Sequence, residues 1–356
     1  MISSRLRALV RCPDCGGSLG GSQPELVCTA CRRRFATSGD YLVLHPDVSY
    51  AEQTRYLDEA LHADARHEHV SPPLLSAKIR NDVLRQFLAP GPSDTVIDLG
   101  CGSGKALVWN ADMGAYQVGI DVSPHFAREA SADIDLVLGD LRRLPFAAGA
   151  FSKGYALDVF EHVSHETLVD VLREVARVLA PGGALFVYSH VRKNSRLAGG
   201  LKAVNALARG LERGGLMDLS RERLRKSDHL NPLMDIPDLE AVVASAGFRI
   251  ARIRYYTPAV GAVVENLFMR LAEHWLAGRA ARRAAAAGCA IDAAEAARQA
   301  RSTAKVRVDG RGLPYLALRL ATWAMKLDML LFSRVRSGPF FALLVKDSAT
   351  REDRRP

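Results

Sequence analysis

Residues 96–105 read Val96-Ile97-Asp98-Leu99-Gly100-Cys101-Gly102-Ser103-Gly104-Lys105. The apolar start predicts a buried strand, and the glycines that follow predict a tight turn where backbone can approach a ligand closely before a helix begins. Three kinds of loop share this texture. A dinucleotide fingerprint needs glycine at the sixth position of GxGxxG, where Lys105 stands. A phosphate loop of the form GxxxxGK[ST] needs glycine at position 99 and Ser or Thr at 106, where Leu99 and Ala106 stand. An acid two residues ahead of a GxGxG turn fits without exception.

Outward from this turn, short apolar runs alternate with helical stretches. The runs are TVIDLG, QVGIDV, IDLVLGD, FSKGYALDVF and GALFVYSH, and the clearest helix is HETLVDVLREVARVLAPGG, with Pro181-Gly182-Gly183 as its stop. FRIARIRYY and PFFALLVKD supply two further strands downstream. Strands alternating with helices predict an α/β fold around a parallel sheet. Before it, residues 49–92 read as a helical connector, broken at Pro72-Pro73, whose stretch LLSAKIRNDVLRQFL aligns Leu74, Leu75, Ile79, Val83, Leu84, Phe87 and Leu88. Residues 192–226 carry ten Lys or Arg against three acids. A basic stretch of this kind most often forms a solvated face. Residues 257–337 interrupt the pattern with VVENLFMRLAEHWL, an Ala/Arg-rich stretch, and LPYLALRLATWAMKLDMLLFSRV.

The chain has 356 residues, 48% hydrophobic and 24% charged, so composition excludes a disordered chain. No apolar run reaches the roughly 18 residues of a membrane-spanning helix, and the first residues show no stretch of signal-peptide type. The expected location is cytoplasmic, with attachment to the inner membrane face as an open option. The net charge of +9 permits an anionic partner such as RNA or phospholipid without requiring one.

Four of the six cysteines are paired, as Cys12-x-x-Cys15 and Cys28-x-x-Cys31, while Cys101 and Cys289 stand alone. Two CxxC knuckles offer four thiolates to one tetrahedral zinc ion, and four protein ligands make such a site structural. Redox pairs or incidental thiols are the other readings of this pattern.

The stretch DLGCGSG resembles the first motif of the Rossmann-like S-adenosylmethionine-dependent methyltransferases. The resemblance continues through GIDVSP, LVLGDLRRLPF, ALDVFEHV and LREVARVLAPGGALFVYSH, and covers about 93–256 plus 338–347. It implies a mostly parallel seven-stranded sheet, with a zinc ribbon over 1–48, the connector over 49–92, the methyltransferase domain over 93–256, a helical insertion over 257–337, and the last strand and tail over 338–356. It also implies S-adenosylmethionine as cofactor. Asp98, Gly100, Cys101, Gly102 and Gly104 would line the methionine tail. Asp121, followed by Val122, would accept from the ribose hydroxyls, as acids do at this place in dinucleotide folds. Asp140 and Leu141 would meet the adenine, and Leu157 the sulfonium end. Each acid alone would pass for a loop residue or a helix cap. The N-terminal segment resembles both the small zinc proteins that partner methyltransferases and the zinc module of some ribosomal RNA guanine methyltransferases.

Methyl transfer mainly needs a positioned nucleophile, and a base only where the acceptor holds its proton near neutral pH. His162, His190 and His229 stand where a base is expected, although each also fits a structural histidine. Asp158-x-x-Glu161-His162 resembles a metal-binding arrangement of some O-methyltransferases, and the same Glu-His pair occurs in relatives without metal. The leading expectation is O-methylation of a small-molecule or lipid-linked acceptor, under an insertion that forms a lid, a dimer surface or a membrane-surface element. An RNA base methyltransferase is the alternative. A ribbon module joined to an inactive domain is disfavoured by the intact turn and acids.

Overall fold

The computed structural model describes residues 2–22, 24–48, 70–193, 198–227, 229–256, 258–286, 312–336 and 338–347. The first part of the expected connector, the Ala/Arg-rich stretch with Cys289, and the tail after 347 lie outside the described residues.

The glycine turn follows β5 (Thr95–Leu99), whose last four residues are all buried. Burial on both faces explains why its sequence is nearly continuous in apolar side chains rather than alternating. Around it lie β6 (Tyr116–Asp121), β7 (Asp135–Leu138), β8 (Phe151–Leu157) and β9 (Leu179–His190), all parallel, in the order β7-β6-β5-β8-β9. Beyond β9 come β11 (Pro339–Lys346), antiparallel to it, and then β10 (Phe248–Tyr255) at the edge. Each apolar run singled out in the sequence is one of these strands.

The expected seven strands are present, but the sheet does not end with them. It has eleven strands and is mixed, because the N-terminal ribbon adds four. These are β1 (Leu19–Ser22), β2 (Glu25–Cys28), β3 (Arg34–Ser38) and β4 (Tyr41–Val43). The first three join antiparallel, and β4 lies parallel to β7, with Leu42 opposite Val137 and the Leu44 N–H donating to the Leu138 carbonyl at 2.7 Å. An uncovered β7 would present a row of unpaired backbone groups, and β4 satisfies them. Helix α1 (Ser4–Leu9) is capped by the Ser3 hydroxyl, which accepts from the Leu6 N–H at 2.9 Å. Leu6, Val10, Phe35, Leu42 and Leu44 then share one core with Val118 and Phe146 of the main sheet.

Helix α2 (Leu75–Leu88) buries Ile79, Val83, Leu84, Phe87 and Leu88 of the stripe read from the sequence, whereas Leu74, which precedes the helix, and Leu75, in its first turn, are only half-buried. Short helices α3 (Lys105–Trp109) and α4 (Arg128–Asp133) follow β5 and β6. Helix α5 (His165–Val178) starts at Ser164, whose hydroxyl accepts from the Thr167 N–H at 3.2 Å, and it buries Leu168, Val171, Leu172, Val175 and Val178. It ends at Val178, ahead of the expected Pro-Gly-Gly stop. Leu179 is already extended, and Pro181–Gly183 belong to the start of β9.

The basic stretch holds α6 (Ala198–Arg213) and α7 (Ser220–Lys226), and α8 (Ile236–Ser245) precedes β10. The insertion comprises α9 (Ala259–Val263), a π-helical turn over Val264–Met269, α10 (Arg270–Ala286) and α11 (Gly312–Phe332). The fully buried Asp328 of α11 accepts from the Val260 and Gly261 N–H groups, each at 3.0 Å, and so fixes the start of α9. Helix α11 lies on α2, where its Thr322 hydroxyl accepts from the Leu75 N–H at 2.8 Å and Lys326 pairs with Asp82 at 2.6 Å.

Candidate active site

The turn after β5 has Gly100, Gly102 and Gly104 at φ of 70°, 54° and 80°, a region costly for other residues. A Cβ at Gly100 would lie 2.8 Å from the Val159 side chain, and one at Gly104 2.6 Å from Ala130, so both positions also need the missing atom for space. Nothing lies within 4 Å of the Cβ position at Gly102, so that backbone faces open space. Cys101 packs its sulfur over Gly119.

Two acids flank the turn. Asp98 is buried at the end of β5, and burial first, then the nearby Asp121, pushes its carboxyl well above the usual range. Asp121 closes β6. One of its oxygens accepts from the Gly102 N–H at 2.7 Å, and the other accepts from the Ser123 N–H and hydroxyl at 2.9 and 3.0 Å. Asp121 therefore holds the turn in shape, leaving its remaining lone pairs for a ligand. The half-buried Val122 follows it. Asp140, after β7, is clasped by Arg142 through the backbone N–H at 2.9 Å, Nε at 2.9 Å and Nη2 at 2.6 Å. A ligand at Asp140 has to share it with that guanidinium. Leu141 and Leu157 are half-buried.

At the carboxyl ends of β8 and β9 the structure gathers all three histidines around Glu161. The Glu161 side chain is 1% exposed, and its Oε1 lies 3.4 Å from Nδ1 of His190. Its other oxygen accepts from the Ser189 hydroxyl at 2.8 Å. Burial alone would raise this carboxyl, but His190, the local backbone and Ser189 outweigh it and hold the pKa at about 2. The Glu161 carbonyl accepts from the Leu230 and Asn231 N–H groups at 2.7 and 3.0 Å, which brings the His229 segment to the site. The His229 ring meets that of His162 edge-on at 4.7 Å. Burial, then the neighbouring His162, lowers the His229 pKa.

Two contributors were not assigned a role from the sequence. Arg80 of α2 pairs with Asp158 and lies over the Tyr188 ring at 5.3 Å. Asp158 adopts φ of 57°, a strained setting for a residue with a side chain, and its N–H donates to the Tyr188 carbonyl at 3.0 Å. One signal for Arg80 was available, since it stands one helical step before Leu84 on the stripe that α2 buries. Glu161 was read as the neighbour of His162, whereas its side chain serves His190. Asp158, Glu161 and His190 bring ligand atoms within 4.8 Å of one another, so His190 takes the place that the sequence pattern gave to His162. Arg80 already supplies Asp158 with a cation.

In the ribbon, the four sulfurs of Cys12, Cys15, Cys28 and Cys31 lie within 4.8 Å of one another. Cys12 and Cys31 are 3.7 Å apart, and Cys15 and Cys28 are 3.4 Å apart. Disulfide sulfurs sit at about 2.05 Å, whereas tetrahedral zinc with bonds of about 2.3 Å separates them by about 3.8 Å. The thiols are unlike one another. Burial pushes Cys12 up to about 12. At Cys28 the Cys31 and Ala30 N–H groups outweigh burial and bring the thiol down to about 6.

With this geometry in view, residues 97–187 match a family described as methyltransferase domain. The chain carries an S-adenosylmethionine-dependent methyltransferase domain. A demethylmenaquinone methyltransferase of Mycolicibacterium vanbaalenii is 40% identical over 108 residues, 29% of this chain and 45% of that protein. A sterol 4-C-methyltransferase of Caenorhabditis elegans is 31% identical over 107 residues, 28% of this chain and 31% of its own. The chain thus spans less than half the length of these relatives. A ubiquinone biosynthesis O-methyltransferase of Azorhizobium caulinodans is 26% identical over 198 residues, 52% of this chain and 73% of that protein. The matched segment holds the glycine turn, Asp98, Asp121 and Glu161, and His190 lies three residues beyond it.

Proposed function

We propose that this chain methylates a small-molecule or lipid-linked acceptor at an oxygen, with S-adenosylmethionine as donor and His190 as the base. The observation that carries this reading is the Glu161–His190 pair at the carboxyl edge of the sheet, where ligands bind in folds of this kind. Relatives named for demethylmenaquinone, sterol and ubiquinone-biosynthesis methylation support a small-molecule or lipid-linked acceptor, and the last, named an O-methyltransferase, supports oxygen, whereas the sterol enzyme is named for carbon.

The residues suit the donor. Gly102 leaves room for close backbone approach, and the buried Asp98 beside Asp121 calls for a cationic group, which an amino-acid tail supplies. Asp121 would hold the ribose, Asp140 and Leu141 the adenine, and Leu157 the sulfonium end. When bound, the donor supplies a methyl group already activated for in-line displacement. His190, half-exposed, takes the proton from the acceptor hydroxyl, and the ionised Glu161 behind it stabilises the imidazolium that forms. His162 and His229 wall the acceptor side. One zinc ion at Cys12, Cys15, Cys28 and Cys31 would brace the ribbon.

The test incubates the protein and labelled donor with cell extract, then separates lipid, small polar and RNA fractions. Label in the lipid or small polar fraction, lost in His190→Ala, is the expected result. Label confined to RNA would overturn the reading in favour of the RNA alternative.

A further inference from the structure

Helix α11 leaves one face bare. Leu313, Leu316, Leu320, Trp323, Leu327 and Leu330 are between 36% and 81% exposed. They recur at intervals of three, four, three, four and three residues, so they form one straight stripe, about 26 Å long at 1.5 Å per residue. Surface apolar residues are ordinarily scattered singly, and six in line mark an interaction surface. The opposite face is fully used: Thr322, Met325 and Asp328 are buried against α2 and α9.

We infer that this stripe seats the protein on an anionic phospholipid surface. Among the described residues no helix is long and apolar enough to cross a membrane, so the helix lies in the plane of the interface. Charge identifies the occupant. Residues 312–336 contain Arg319, Arg334 and Arg336 besides Lys326, which Asp82 of α2 already pairs, and their single acid, Asp328, is buried and engaged with α9. The same spacing would serve a coiled coil with a second copy, but a coiled coil pairs opposite charges beside its seam. Here Arg319 stands beside the seam with Ala317, Ala324 and Leu331 as the residues across from it, while Lys326 is already paired with Asp82, so a second copy brings no acid to meet Arg319. Anionic headgroups do.

The opposite face of α11 leads to the candidate site. Helix α11 packs on α2, and α2 delivers Arg80 to Asp158. A bilayer under α11 is therefore separated from Asp158 by α11 and α2. The inference deepens the lipid-linked acceptor reading and rests on it for its purpose, although not for its geometry.

The test uses the full chain with vesicles of phosphatidylcholine alone, or of phosphatidylcholine mixed with phosphatidylglycerol. Sedimentation should show binding to the mixed vesicles, weakened by salt, with Trp323 fluorescence shifting to the blue. Leu320→Ser with Trp323→Ser should reduce partitioning by about tenfold or more, and Arg319→Glu should weaken it further. Calorimetry with S-adenosylmethionine should give the same affinity for these variants as for the wild type, which confirms that they fold. Wild type that stays unbound, or variants that bind equally, would overturn the inference. So would a concentration-dependent dimer abolished by the same variants in a protein that ignores vesicles. Vesicle binding together with extract label confined to RNA would leave this inference standing and refute the acceptor assignment instead.

Discussion

Glu161→Gln tests the charge at the centre of the site. The wild-type carboxyl is 1% exposed and held at about 2, against an ordinary value of 4.5. A depressed carboxyl contributes stability that is complete above its unfolded pKa and is lost as pH falls through the folded one. The difference of about two and a half units, at about 1.4 kcal/mol each, amounts to about 3 kcal/mol. Its window runs from about pH 5 down to about 2, and about 2 kcal/mol of it should be gone by pH 3. Glutamine keeps the shape and can still accept from Ser189, but it cannot bear the charge that faces His190. Urea denaturation of both proteins from pH 7 to pH 3 measures the gap between them. Asp98, whose buried carboxyl is pushed the opposite way, is common to both and cancels. The gap should shrink on acidification below about pH 5. A gap that does not change with pH would show that His190 does not hold Glu161 ionised, and the assignment of His190 as base would lose its support.

Protein as purified should contain one zinc per chain by elemental analysis, and Cys12→Ser with Cys28→Ser should lose it; full retention would refute the four-sulfur site. Asp121→Ala strips the acceptor from two backbone N–H groups, and calorimetry should show cofactor binding weakened by about 1–3 kcal/mol; unchanged affinity would refute the ribose assignment. Leu42→Ala, at a fully buried position of β4, should cost about 2–5 kcal/mol in a single cooperative unfolding transition. A separate, earlier transition for residues 1–48 would show that the ribbon folds apart from the sheet.

The central strands were legible because burial on both faces writes itself into sequence as short apolar runs between turns. The width of the sheet was not. Strand β4 is three residues long, and its partner β7 lies some ninety residues further on. An edge strand carries no local mark of what will cover it, so the ribbon read as a unit of its own, whereas its apolar side chains complete the core of the main sheet. The end of α5 shows a smaller form of the same problem: Pro-Gly-Gly marks a reversal correctly, but the chain can leave the helix before reaching it.

The site divides along the same line. The glycine turn, its acids, His162 and His190 follow from motif and order, because each sits at or just after a strand end where the fold itself puts ligands, while His229 comes from a loop between two helices. What the motifs cannot carry is which side chain turns to which. Glu161 precedes His162 in the chain, yet it serves His190 on the adjacent strand, and Arg80 reaches Asp158 across 78 positions. Both contacts depend on how β8, β9 and α2 pack together. Packing also makes the insertion more than a removable lid. Met325 is fully buried and closes against Gly261, and Lys326 holds Asp82 on the helix that carries Arg80. Excising residues 259–336 would therefore bare α2 and loosen Arg80, so lost activity in such a trimmed protein would not isolate acceptor binding. Substitutions confined to the exposed stripe of α11 leave Met325, Thr322 and Asp328 in place, and so separate the surface that meets a membrane from the face that builds the site.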